Sequence, residues 1–234
     1  MKRIFVPTRN GTDWQRLLAK PIIHWKKGAS AMTAAAAWED AANKLPTEIS
    51  RLLTSTSEPL LQNLELLAAI PEWEVKLPGG DTTSNTDILA LCRNKVGLAV
   101  VAVEAKVLED FGPLVGEKRD SASQNQASRL QYLHELLKVD WFANEIRYQL
   151  LHRTASAILT AVDFHASVAV MMVHAFATPV ARRGDFTAFC AAMGATEIVP
   201  NVYKVPYFTQ PELYLAWCDG DEKYRAIELE NAFK

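Results

Sequence analysis
The chain has 234 residues, of which 49% are hydrophobic and 22% charged, enough for one sizeable domain with an apolar core. Its net charge of −2 excludes a strongly basic nucleic-acid binder on composition alone. The longest apolar run, "ASVAVMMVHAFATPVA", is interrupted by His174 and too short to span a bilayer, so no membrane partner is expected.

The chain opens on an extended basic stretch, 1–29, in which Lys2, Arg3, Arg9, Arg16, Lys20, Lys26 and Lys27 face only Asp13. It carries no apolar h-region, so a secretory leader is not expected. Such a stretch can touch phosphates or simply be a solvated surface. Trp25, beside two lysines, is a candidate to stack a base, or plain packing. Residues 30–44 predict a helix with Ala31, Ala34, Trp38, Ala41 and Leu45 in one stripe, ended by Pro46. "PTEISRLL" and "SEPLLQNLELLAAI" predict two more helices.

At Pro71 the pattern changes. "EWEVKL", "TDILALC" and "LAVVAVEAKV" predict a three-strand meander, the last strand covered on both faces. "DFGPLVGEKRD" predicts a loop, followed by helices over 121–139 and 144–162, a buried strand at 167–177, a helix at 184–195 and strands "NVYKVPYF" and "LYLAWC". The order argues for an α/β fold with a central mixed sheet flanked by helices. A single domain, 1–234, is expected, with a core over 30–180 and a C-terminal helix and strands over 181–234. Cys92, Cys190 and Cys218 offer neither zinc spacing nor a disulfide framework, which fits a reducing cytoplasm. The late tyrosine-rich segment, read as edge-strand sequence, is a candidate homodimer surface.

Three charges interrupt good strand sequence. Glu104 and Lys106 lie two apart at the end of "LAVVAVEAK" and so point the same way. Counting outward from a turn at 94–97 places Asp87, on the preceding strand, opposite Glu104. Two converging carboxylates offer oxygen ligands to a hard cation such as Mg²⁺ (or Mn²⁺), and a lysine beside them adds positive charge for phosphodiester hydrolysis. The rival reading is a salt-bridged strand end. Arg147 and His152 on "RYQLLHR" are candidates to contact a substrate backbone, or to pin the helix to a loop.

An acid at a strand start followed by Glu104-Ala105-Lys106 at the end of the next strand resembles the PD-(D/E)XK nuclease superfamily. "LPGG", "VEAKV", "FGPLVGE" and "RYQLLHRTASA" also look like segments of an uncharacterised bacterial family within it. The resemblance covers roughly 30–180. It implies a restriction-endonuclease-like sandwich, a nucleic-acid substrate, Asp87 and Glu104 as metal ligands and Lys106 as the catalytic lysine. It also implies a helper acid from the first helix, for which Glu39 is the candidate, and a glutamine on the helix after the lysine, for which Gln126 is the candidate. Two functions follow: a Mg²⁺-dependent DNA nuclease, or the same fold without catalysis as a nucleic-acid or protein binding subunit.

Overall fold
One seven-stranded sheet, in the order β1-β2-β3-β4-β7-β6-β5, runs through the computed structural model, which describes residues 8–80, 82–120 and 122–233. Its strands are β1 (Glu65–Lys76), β2 (Thr83–Arg93), β3 (Leu98–Lys106), β4 (Val168–Ala175), β5 (Thr196–Val199), β6 (Val202–Thr209) and β7 (Glu212–Asp219). β3 pairs with β4, and β4 with β7, in parallel; the other pairings are antiparallel. The protein is therefore α/β with a central mixed sheet, as the element order implied. β4 is buried along its whole length and β3 nearly so, which is why both read as unbroken apolar runs.

The helices are α1 (Pro21–His24), α2 (Ser30–Ala41), α3 (Thr47–Thr54), α4 (Val115–Asp120), α5 (Gln124–Leu137), α6 (Tyr148–Asp163) and α7 (Val180–Ala192). On one face, α2 and α3 bring Trp38, Ile49 and Leu53 against Ile88, Val101 and Val170 of the sheet. On the other, α5, α6 and α7 bring Leu133, Leu151 and Phe189 against Val100, Ala102 and Met171. Among the described residues no helix is long and apolar enough to cross a membrane.

Four expectations are corrected. The run 57–70 is not a helix: a 3-10 turn at Pro59–Leu61 leads into β1. Leucine and alanine favour helix, but pairing with β2 prevails, and Leu66, Ala68 and Ile70 turn inward while Glu65, Leu67 and Ala69 stay exposed. The loop at 110–120 contains α4, whose start is capped where Glu117 accepts from the Leu114 N–H at 2.8 Å. The basic stretch is not extended over 8–29: it forms a 3-10 turn, Gly11–Leu17, capped by Asn10, and then α1. Lys2 and Arg3 lie outside the described residues. Finally, the late tyrosine-rich segment is not an edge in its β7 half, while in β6 the outer side is paired with β5 over 202–204. β7 lies between β4 and β6, and Tyr214 is buried with its hydroxyl on Glu58 and Glu212, so the strand is already paired on both sides.

The connection from β1 to β2 is held by α5. Arg129 donates to the carbonyls of Leu77, Pro78, Gly80 and Thr82. Gly79 makes this approach possible: at φ +86° and against the Asn125 carbonyl, a Cβ would collide. This latch fixes the end of the sheet on which the charged residues gather.

A buried charge cluster at the mouth of a cleft
The β2–β3 ladder runs from Arg93↔Leu98 to Ile88↔Val103. One step beyond, Asp87 and Glu104 face each other as the count from the turn predicts. The backbone pairing stops there, and the Asp87 side chain takes it over: Oδ2 accepts the Ala105 N–H at 2.8 Å. The strand also turns over at this level. Ser84 bonds His152 on α6, whereas Ile88, four positions on, packs in the opposite layer. Asp87 thus sits at the seam between the two layers.

Glu104 is the hub. It is 3% exposed, and Lys106 donates from Nζ to its Oε1 at 2.7 Å. α6 adds Gln149, whose Nε2 reaches the same oxygen at 2.8 Å, and Arg153, whose Nε bonds Oε2. Gln149 and Arg153 are four apart, one turn of α6, so both project to the same side. Arg153 also donates from Nη1 to Ser84 Oγ at 3.0 Å, and Ser84 Oγ lies 2.9 Å from His152 Nδ1. Lys106, 5% exposed, lies behind Glu104 with Nζ 5.2 Å from the Phe111 ring centroid.

A third carboxylate comes from β1. The pairs Pro71↔Ile88 and Trp73↔Thr86 bracket Glu72, which places it across from Asp87. Its φ is +51°, rare for a residue with a side chain, and past it Trp73 swings its indole to Thr160 on α6. A cleft of about 840 Å³ opens here, lined among others by Glu72, Asp87, Glu104, Gln149, His152 and Arg153.

The charges do not balance. For Glu104, burial pushes the pKa up, but Arg153 and Lys106 outweigh it and hold the carboxyl at about 2. Asp87 is raised to about 7 by burial and then by Glu104, and Glu72 to about 8 by burial and then by Asp87. Two cations thus serve three carboxylates. His152 is held well below 6.5 by burial and by Arg153, so its imidazole is neutral at neutral pH.

The Asp87 shift has a consequence for stability. Its folded pKa lies above the ordinary 3.8, so the penalty for ionising it is absent below about pH 4 and grows as pH rises towards about 7. Asp87→Asn, which keeps an acceptor for Ala105, will be more stable than wild type by about 1–2 kcal/mol at about pH 8, a gap that closes near pH 4. Thermal melts across that range check it; a constant difference would contradict it.

Glu39, Gln126, Arg147 and Trp25 lie elsewhere. Glu39 is outside the cleft, with Oε1 taken by Trp14 Nε1 at 2.6 Å and Thr8 Oγ1 at 3.3 Å. The start of α2 lines the cleft at Ser30 and Ala31, but Glu39 lies about 13 Å further along the axis. Gln126 closes a capping box with Ser123 at the start of α5. Arg147 pins α6, donating to Asp185 at 3.0 Å and to the Gly112 carbonyl at 2.8 Å. His152 does line the cleft. Trp25 is buried, its indole donating to the Glu230 carbonyl at 3.1 Å, so it has no face to offer a base. Glu109 lines the cleft while accepting from the Ser30 and Val107 N–H groups, both at 3.0 Å.

Sequence reading missed Glu72, Gln149, Arg153 and Ser84. The i, i+4 spacing of Gln149 and Arg153 on α6 was the one available signal. Among the described residues no group of three or more His, Cys, Asp or Glu stands at metal-holding distances. Mg²⁺ does not need one: it commonly takes one or two carboxylates and completes its shell with water and phosphate. Asp87 and Glu104 fit that donor set, and a cation there would favour the ionised form of Asp87.

Fold and site together define an α/β protein with a carboxylate-rich cleft at the end of its central strands. The chain belongs to the family described as a domain of unknown function (DUF6946), whose sequence model matches residues 7–222. No curated protein and no solved structure matches it.

Proposed function
We propose that this protein is a Mg²⁺-dependent phosphodiester hydrolase of restriction-endonuclease-like fold, acting on nucleic acid, most simply DNA. The observation that carries the reading is that Asp87 and Glu104 line one cleft, with Lys106 bonded to Glu104 from behind. Asp87 and Glu104 would hold the cation, which when bound polarises a phosphate and activates water. Lys106, Gln149 and Arg153 fix the rotamer of Glu104 from three directions. Arg153 lines the cleft, where a guanidinium suits a phosphate oxygen. Three free, buried cysteines accord with a reducing cytoplasm.

One observation favours the non-catalytic alternative. Both Glu104 oxygens already accept hydrogen bonds, so a cation must share or displace them. Calorimetry with Mn²⁺ decides between the two. Binding by wild type that is lost in Asp87→Asn supports the hydrolase. Absence of binding to wild type sinks it and leaves a binding subunit built on the same fold.

A further inference from the structure
The cleft that holds the acids is also lined by Leu18, Ala19, Ile23 and His24, from the stretch 15–27, which has no acidic residue. That stretch is anchored at both ends. Trp14 donates to Glu39 at 2.6 Å and Trp25 to the Glu230 carbonyl at 3.1 Å. Next to Trp14, Gln15 Oε1 accepts the Ala232 N–H at 2.7 Å. Between the anchors the side chains turn outward. Ile22 is 68% and Ile23 58% exposed, and Lys20, Lys26 and Lys27 are exposed with no ion pair among the described residues. Leu18, Ile23 and His24 line the same cleft as Asp87 and Glu104.

We propose that this lip binds a single strand of nucleic acid, with Lys20, Lys26 and Lys27 on its phosphates and Ile22 and Ile23 against unstacked bases, and guides it towards the carboxylates. The proposal deepens the hydrolase reading and rests on it for the direction of the strand. Charge complementarity carries it: a lysine-bearing rim beside a floor lined by Glu74, Asp87, Glu104 and Glu109 suits a polyanion at the rim and a cation below. Exposed isoleucines beside lysines argue for a strand over a duplex, because paired bases keep their faces stacked. A cleft of about 840 Å³ is in the range of pockets for small ligands, matching a few nucleotides of one strand. An anionic membrane is the weaker partner, since α1 has four residues and offers no continuous apolar face.

The test is fluorescence anisotropy of a labelled thymidine oligonucleotide in EDTA, so that neither cation nor cleavage contributes. Wild type is expected to bind the strand at least tenfold more tightly than a duplex of equal length. The K20E/K26E/K27E variant is expected to lose at least tenfold, with a salt slope shallower by about 2, from three phosphate contacts at about 0.7 each. I22S/I23S is expected to weaken strand binding and leave the salt slope unchanged. Melting curves confirm that these surface variants fold. Unchanged binding by the charge-reversal variant, preference for duplex, or tighter binding to phosphatidylserine vesicles would each overturn the lip. The outcomes separate the two proposals. Strand binding through the lip without Mn²⁺ binding removes the hydrolase and keeps the lip; Mn²⁺ binding and cleavage untouched by the lip variants does the reverse.

Discussion

Glu104→Ala will lower the stability of the protein by about 3–5 kcal/mol at neutral pH, read as a fall in the urea midpoint. The carboxylate is nearly sealed from solvent and accepts from Lys106, Gln149 and Arg153. Truncation removes the one carboxylate that bonds both buried cations, leaving them only the more distant Asp87 and Glu72, and leaves the amide of Gln149 without its acceptor. The folded pKa of about 2 lies below the ordinary 4.5, because Arg153 and Lys106 outweigh the effect of burial. The stabilisation is therefore fully present above about pH 4.5 and is lost as pH falls through about 2. The difference between wild type and variant should shrink on acidification over that window. Equal urea midpoints at neutral pH would mean that the ion pairs are not maintained in solution.

Lys106→Met will separate chemistry from structure. Methionine fills much of the same volume, and Glu104 keeps Arg153 and Gln149, so the urea midpoint should move far less than in Glu104→Ala. Under the proposed hydrolase function, kcat for Mn²⁺-dependent cleavage of an oligonucleotide should fall by about 10²–10³, with little change in KM, because the lysine's charge acts on the transition state. If Lys106 is only a staple, whatever activity exists will fall in proportion to stability and the variant will regain it under stabilising conditions.

The core of the site was legible because it is local. The β2–β3 turn is short and self-defining: the Asn94 side chain accepts from the Val96 and Gly97 N–H groups, and the Asn94 N–H bonds the Gly97 carbonyl. Once that turn is placed, counting along two antiparallel strands puts Asp87 by Glu104. Glu39 and Gln126 were chosen by helical phase, which reports the face of a helix and not how far along its axis the cleft lies. Glu72 needed the reversal at a positive φ, which nothing in "IPEWEV" announces. Arg153 was hidden by its surroundings. In an isolated helix it belongs to solvent, and only the docking of α6 on β3 supplies the carboxylate that lets it be buried. β1 was misread for a related reason: its leucines and alanines favour helix until β2 is there to pair with them.

The reach of Glu104 along the chain sets an order on events during folding. Its strand hairpin can close early, since β2 and β3 are joined by a few residues. Its partners Gln149 and Arg153 arrive from 45 and 49 positions away, across the crossover that carries α4 and α5. Closing a segment of that size costs entropy that only the finished packing repays. A chain halted before the crossover docks would hold its two acids side by side and have no geometry in which to use them, so competence for the proposed chemistry arrives with the native state and not before it.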